Sequence, residues 1–107
     1  DILQPDLAVM GGFTAARRVG ALTHAENLQC IPHVWGSAIL FFASLHLAAA
    51  LPNCPIFEFR QGDSALFTDL VEEPIGIDEE GYVAVPDKPG LGVTLDLEEA
   101  QRKYPFQ

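Results

Sequence analysis

Apolar and polar positions change period several times along the first sixty residues, and each change marks an element. "DILQPD" opens apolar and is stopped by Pro5, so Ile2–Gln4 reads as a short strand ending at the polar Asp6. Gly11-Gly12 punctuates, and Thr14 is placed as the N-cap of a helix. Through "AARRVGALTHAEN" the apolar Ala15, Val19, Leu22 and Ala25 recur at helical spacing, with Arg17, Arg18 and Glu26 on other faces. Leu28–Ile31 reads as a second strand, ending at Pro32-His33. "SAILFFASLHLAAAL" is the next helix, apolar nearly all round and therefore buried on more than one side, until Pro52 stops it. Ile56–Phe59, "IFEF", is the third strand.

This order of strand, helix, strand, helix, strand signals parallel βαβ units over residues 1–60. After Arg60 the pattern loses that alternation and becomes rich in turns. "GYVAVP" reads as a half-buried strand and "DKPGLG" as a tight loop. Asp96 with Glu99 makes a capping box for a last helix over Leu97–Lys103. Residues 61–107 are read as a C-terminal extension packed on the sheet. The fold class is α/β.

Each strand carries a polar residue at or just past its end: Asp6, His33 and Glu58. Ligands bind at the carboxyl ends of strands in α/β sheets and barrels, so three residues 27 and 25 positions apart converge on one end. Asp6 beside His33 would orient the imidazole, fix its tautomer and stabilise the imidazolium, as a proton-transferring base requires. Glu58, when protonated, could donate a hydrogen bond to a developing oxyanion. Each residue also has an ordinary reading. His33 alone could be a satisfied structural histidine, as His24 and His46 are read, and Glu58 could be paired with Arg60.

Charge narrows the partners. The net charge of −9, with only six Lys and Arg, argues against nucleic acid and against anionic membrane surfaces. Twelve of the fifteen acidic residues lie between Glu58 and Glu99, which reads as a solvated acidic surface. Cys30 and Cys54 sit in apolar contexts without a disulfide spacing pattern, so both are read as buried free thiols in a reducing compartment. With no basic n-region at "DILQPD", and no apolar run long enough to span a bilayer, the expectation is a soluble, cytoplasmic protein.

Other chemistries find less support. Ser37 lies in no GxSxG elbow, and Cys30 lies inside a strand. The glycine pairs at 11–12 and 90–92 match no phosphate-binding pattern. A metal held by Asp6, His33 and Glu58 remains a chemical alternative.

The run from "QPDLAVMGG" through "PHVWGS" to "IFEF", with "VPDKPGLGVTLD" in the tail, resembles the C-terminal barrel segment of the mandelate racemase/muconate lactonizing enzyme family of the enolase superfamily. The resemblance covers nearly all 107 residues. It implies strands six to eight of a (β/α) TIM-type barrel, with the C-terminal extension packing on it. It also implies an Asp6–His33 dyad as general acid or base, with Glu58 assisting at the substrate carboxylate. The implied cofactor is Mg²⁺, its ligands lying in the part of the barrel outside this chain. The implied activity is abstraction of the α-proton of a carboxylate or sugar acid, giving dehydration or racemisation. The implied partners are that small substrate, the remainder of the barrel with a capping domain, and further copies in a homo-oligomer. The alternative is an inactive fragment, or a non-enzymatic α/β piece that needs a complementary chain.

Overall fold

Proline, glycine and two short capping side chains decide where the first elements start and stop. A computed structural model of the protein describes residues 1–62 and 64–105. Strand β1, Ile2–Leu3, ends before Pro5, and Asp6 then caps a four-residue helix α1, Leu7–Met10, by accepting from the Ala8 N–H at 2.8 Å. Gly11 closes α1 in the left-handed region at φ 95°, a conformation that favours glycine. Helix α2, Phe13–Ala25, follows with Gly12 as its N-cap. The cap is therefore Gly12, not Thr14: the chain turns into helix directly from the Gly-Gly pair, and Thr14 is already inside it.

Strand β2, Gln29–Cys30, pairs in parallel with β1 in the register Ile2↔Gln29 and Leu3↔Cys30. The ladder runs beyond the regular strands. Ile31 N–H donates to Leu3 O at 2.9 Å and His33 N–H to Pro5 O at 3.1 Å. On the other side of β2, Cys30 N–H donates to Asn53 O at 3.0 Å. Asn53 Nδ2 also bonds Leu28 O and Thr23 Oγ1, each at 2.9 Å, and so ties the amino ends of these segments together.

Helix α3, Ala38–Ala50, is capped by Ser37, whose Oγ accepts from Leu40 N–H at 3.3 Å. Its apolar circumference buries Ala38, Phe41, Phe42, Leu45, Leu47 and Ala48. Phe41 is the hub of the core. Its ring meets Phe42, Phe57, Phe59 and Phe67 edge to face, with centroids 5.3–5.4 Å apart. Burying such a side chain contributes roughly 1.5–3 kcal/mol, and edge-to-face pairs add to it. A second cluster, Leu7, Ala16 and Leu47, joins α1 and α2 to α3. Gly20 of α2 leaves room for the Leu51 side chain, whose Cδ2 would have to shift to admit a Cβ there.

The segment Ile56–Phe59 lies against the core through Phe57 and Phe59 but forms no regular strand. Its apolar side chains satisfy the strand pattern. A ladder needs neighbouring backbone on its edge, and none is paired with it among the described residues. The same reason applies to "GYVAVP": Val83 packs on the core, but the segment joins no strand ladder among the described residues, and its backbone bonds are those of a turn with Asp78. Its start is a turn organised by Asp78, whose Oδ1 accepts from Glu80 N–H and Tyr82 N–H. Cys54 is half-buried rather than buried, and its thiol donates to Ile56 O at 3.2 Å.

Helix α4, Ala65–Thr68, places Phe67 in the core. The tail then returns: Val71 and Leu95 form an antiparallel bridge, and Asp96 N–H donates to Leu70 O at 3.0 Å. Helix α5, Leu97–Lys103, is capped by Asp96, which accepts from Glu99 N–H at 2.9 Å. The box is only half made, because the Glu99 carboxylate turns instead to Arg102 and Lys103. No helix among the described residues is long and apolar enough to cross a membrane.

Candidate active site

Pro5 and Pro32 end their two extended segments at the same level, and the residues that follow them meet. Asp6 Oδ2 lies 2.8 Å from His33 Nδ1. The carboxylate is largely covered, at 15% side-chain exposure, while the imidazole remains 44% exposed. Asp6 is fully employed: Oδ1 accepts from Ala8 N–H and Oδ2 receives the imidazole. The cap holds the carboxylate still, so the helix start and the imidazole fix one another. An ionised carboxylate accepts only, so Nδ1 carries the proton in the neutral ring and Nε2 presents its lone pair. Nε2 has no hydrogen bond to a described residue, and the exposed side of the ring is free to meet a small molecule.

Glu58 reaches the same end of the fold by a different contact. Gln4 Nε2 donates to Glu58 Oε2 at 3.4 Å, a long hydrogen bond across from the first extended segment to the third. The sequence motif contained Gln4, in "QPD", but a neutral amide among charged residues gave no reason to single it out. Glu58 is not paired with Arg60. That arginine is only 8% exposed, with its guanidinium carbon 4.7 Å from the Trp35 ring centroid and 4.9 Å from that of Phe67. Its Nη1 donates to Gly62 O at 3.0 Å. Aromatic faces accept a guanidinium, so sequence neighbours Glu58 and Arg60 take unrelated partners.

The residues present do not form a Mg²⁺ site of their own. Mg²⁺ takes oxygen ligands in near-octahedral array. Both Asp6 oxygens are engaged, Glu58 is held by an amide, and no three His, Cys, Asp or Glu side chains gather for a metal among the described residues. Burial pushes the thiols of both Cys30 and Cys54 up from their ordinary value, which disfavours the thiolate. A groove of about 460 Å³ lined by Leu45, Cys54, Phe57, Tyr82 and Val85 is apolar and contains none of the three polar candidates.

The comparisons with known proteins agree with one another. The profile of the family described as enolase C-terminal domain-like matches residues 1–100. D-galactarolactone cycloisomerase of Agrobacterium fabrum is 34% identical over 104 residues, covering 90% of this chain and 27% of that protein. D-xylonate dehydratase of Haloferax volcanii is 38% identical over 98 residues, covering 92% and 24%. Arabinonate dehydratase of Saccharolobus solfataricus is 36% identical over 95 residues, covering 89% and 25%. The chain thus spans about a quarter of the length of these relatives. Among solved structures, 3,6-anhydro-D-galactonate cycloisomerase from Zobellia galactanivorans superposes with a TM-score of 0.83 at 32% identity, over 94% of this chain and 28% of that one. A Bordetella bronchiseptica RB50 protein assigned to the mandelate racemases, complexed with 2-oxoglutarate/phosphate, gives 0.87 at 30%, over 95% and 27%. The chain belongs to the enolase C-terminal domain-like family, on the mandelate racemase/muconate lactonizing enzyme side of the enolase superfamily.

Proposed function

We propose that this chain supplies strands six to eight of a barrel enzyme that removes the α-proton of a sugar acid, as a dehydratase, cycloisomerase or racemase of mandelate racemase type. The observation that supports this most is the 2.8 Å contact between Asp6 and His33 at the carboxyl ends of parallel segments. His33 Nε2 takes the α-proton. The C–H electron pair moves toward the substrate carboxylate and yields an enediolate, while Asp6 stabilises the imidazolium that forms. His33 then gives that proton to a departing β-hydroxyl, which leaves as water. In a racemisation the proton stays on His33 and a second acid, from outside this chain, protonates the carbon on the opposite face, so charge and atoms balance in both outcomes. Glu58 stands at the substrate carboxylate, with Gln4 orienting it. The Mg²⁺ that the family resemblance implies would be held by carboxylates of the barrel outside these residues.

The relatives' names give the first substrates to try on the full-length protein: D-xylonate, arabinonate and D-galactarolactone. The expected result is turnover of at least one acid sugar or lactone, lost when His33 is replaced by Asn. Undiminished turnover by the Asn variant would remove His33 from the reaction.

A further inference from the structure

Three contacts join the three extended segments at their carboxyl ends, and only two involve the candidate site residues Asp6, His33 and Glu58. Asp6 and His33 join the first to the second. Gln4 and Glu58 join the first to the third. The third side of this triangle is Arg60 against Trp35, which joins the third to the second. Trp35 lies two residues beyond His33, and Arg60 two beyond Glu58.

This third contact is built like a clamp. Trp35 is 60% exposed, so core packing does not hold its ring. The guanidinium that covers it is buried, backed by the Phe67 ring and steered by the Gly62 carbonyl. Phe67 is fixed in turn by Phe41 at the centre of the core. Arg60 Nε is buried without a hydrogen-bond partner, and no carboxylate pairs with the guanidinium among the described residues. A flat guanidinium set over two aromatic faces fixes geometry well, because its plane and its charge both favour that arrangement. The ring it covers belongs to the residue next but one to His33.

We infer that Arg60 is a positioning residue: it pins Trp35 and thereby holds the Pro32–Ser37 loop so that His33 meets Asp6. The inference rests on the proton-transfer role proposed for His33. Arg60 touches neither the dyad nor the reacting atoms, and acts through the loop.

A double-mutant cycle on the full-length protein tests this, using whichever acid sugar it turns over. Arg60→Met keeps the stem and removes the planar cation, and Trp35→Ala removes the ring it holds. Each change should lower kcat about tenfold, since small misplacements of catalytic groups have effects of that order or larger, with KM little altered. Because both act through one contact, the double variant should be no slower than either single one. Trp35 is the only tryptophan of this sequence, and subtracting the emission of a Trp35→Phe variant isolates its signal from any other. Its quenching by acrylamide should rise in Arg60→Met. Should that variant not fold, Arg60→Lys keeps the charge without the flat fork and should move both readouts the same way. Additive losses in the double variant, or unchanged Trp35 quenching, would overturn the inference. The quenching is independent of chemistry. If His33→Asn left catalysis intact, the proposed reaction would fall while the clamp could still be seen.

Discussion

The Asp6 carboxylate bonds His33 Nδ1 through one oxygen at 2.8 Å and caps helix α1 through the other at the same distance. One residue thus fixes a backbone turn and an imidazole together. The cap stops the carboxylate from rotating, and the imidazole inherits that rigidity without a further ordering cost on binding.

This double employment can be separated by mutation. Asp6→Asn retains a good N-cap but loses the charge that orients the imidazole, so thermal stability should change little while turnover falls about 10²–10⁴-fold. Asp6→Ala should lose the same activity and about 1 kcal/mol of stability besides. Thermal unfolding and steady-state turnover, measured on both variants, check this. Equal destabilisation by Asn and Ala would show that the cap does not depend on the side chain.

Glu73 gives a pH prediction in the tail. Its carboxylate accepts from Thr94 N–H at 2.7 Å, from Lys88 Nζ at 3.1 Å and from Thr94 Oγ1 at 3.1 Å. The Thr94 backbone bond, with help from Lys88, pulls its pKa from 4.5 down to about 2. The folded value is the lower one, so the clamp is fully present above about pH 4.5 and is lost as the pH falls toward 2. The Thr94 amide shift, followed by NMR, should titrate near the lower value. A midpoint at the ordinary carboxylate value would mean that Glu73 is not held there.

The core prediction concerns Phe41, the ring that four others share. Phe41→Ala should destabilise by about 3–5 kcal/mol, because the surrounding rings cannot collapse onto the cavity together. Urea unfolding measures it. A loss under about 1 kcal/mol would show that the cluster repacks freely.

Periodicity made the helices legible: α2 and α3 are readable from apolar spacing and α5 from its Asp96 cap, as is the first strand from its proline stop, while the cap of α2 falls on Gly12 instead of Thr14. Helix α1 was missed although its signals, Asp6 before "LAVM" and then Gly-Gly, are all present. Four residues are too few for a period to show. The Ile56–Phe59 and "GYVAVP" segments have the composition of strands, yet pairing depends on neighbouring backbone that composition does not reveal. At the site, the meeting of Asp6 with His33 followed from their shared place after a strand-ending proline or its neighbour. The contacts of Gln4 and Arg60 did not, because an amide reaching across segments and a cation between two rings leave no spacing to read.

The central claim is that His33 moves the substrate's α-proton. Incubating the full-length protein with its acid-sugar substrate in D₂O, and following the α-proton by NMR, tests it most directly. The account predicts solvent deuterium incorporation by the wild-type protein and a loss of about 10²–10⁴-fold in His33→Asn, with substrate binding largely kept. Exchange by His33→Asn at the wild-type rate would make His33 a structural histidine and contradict the account.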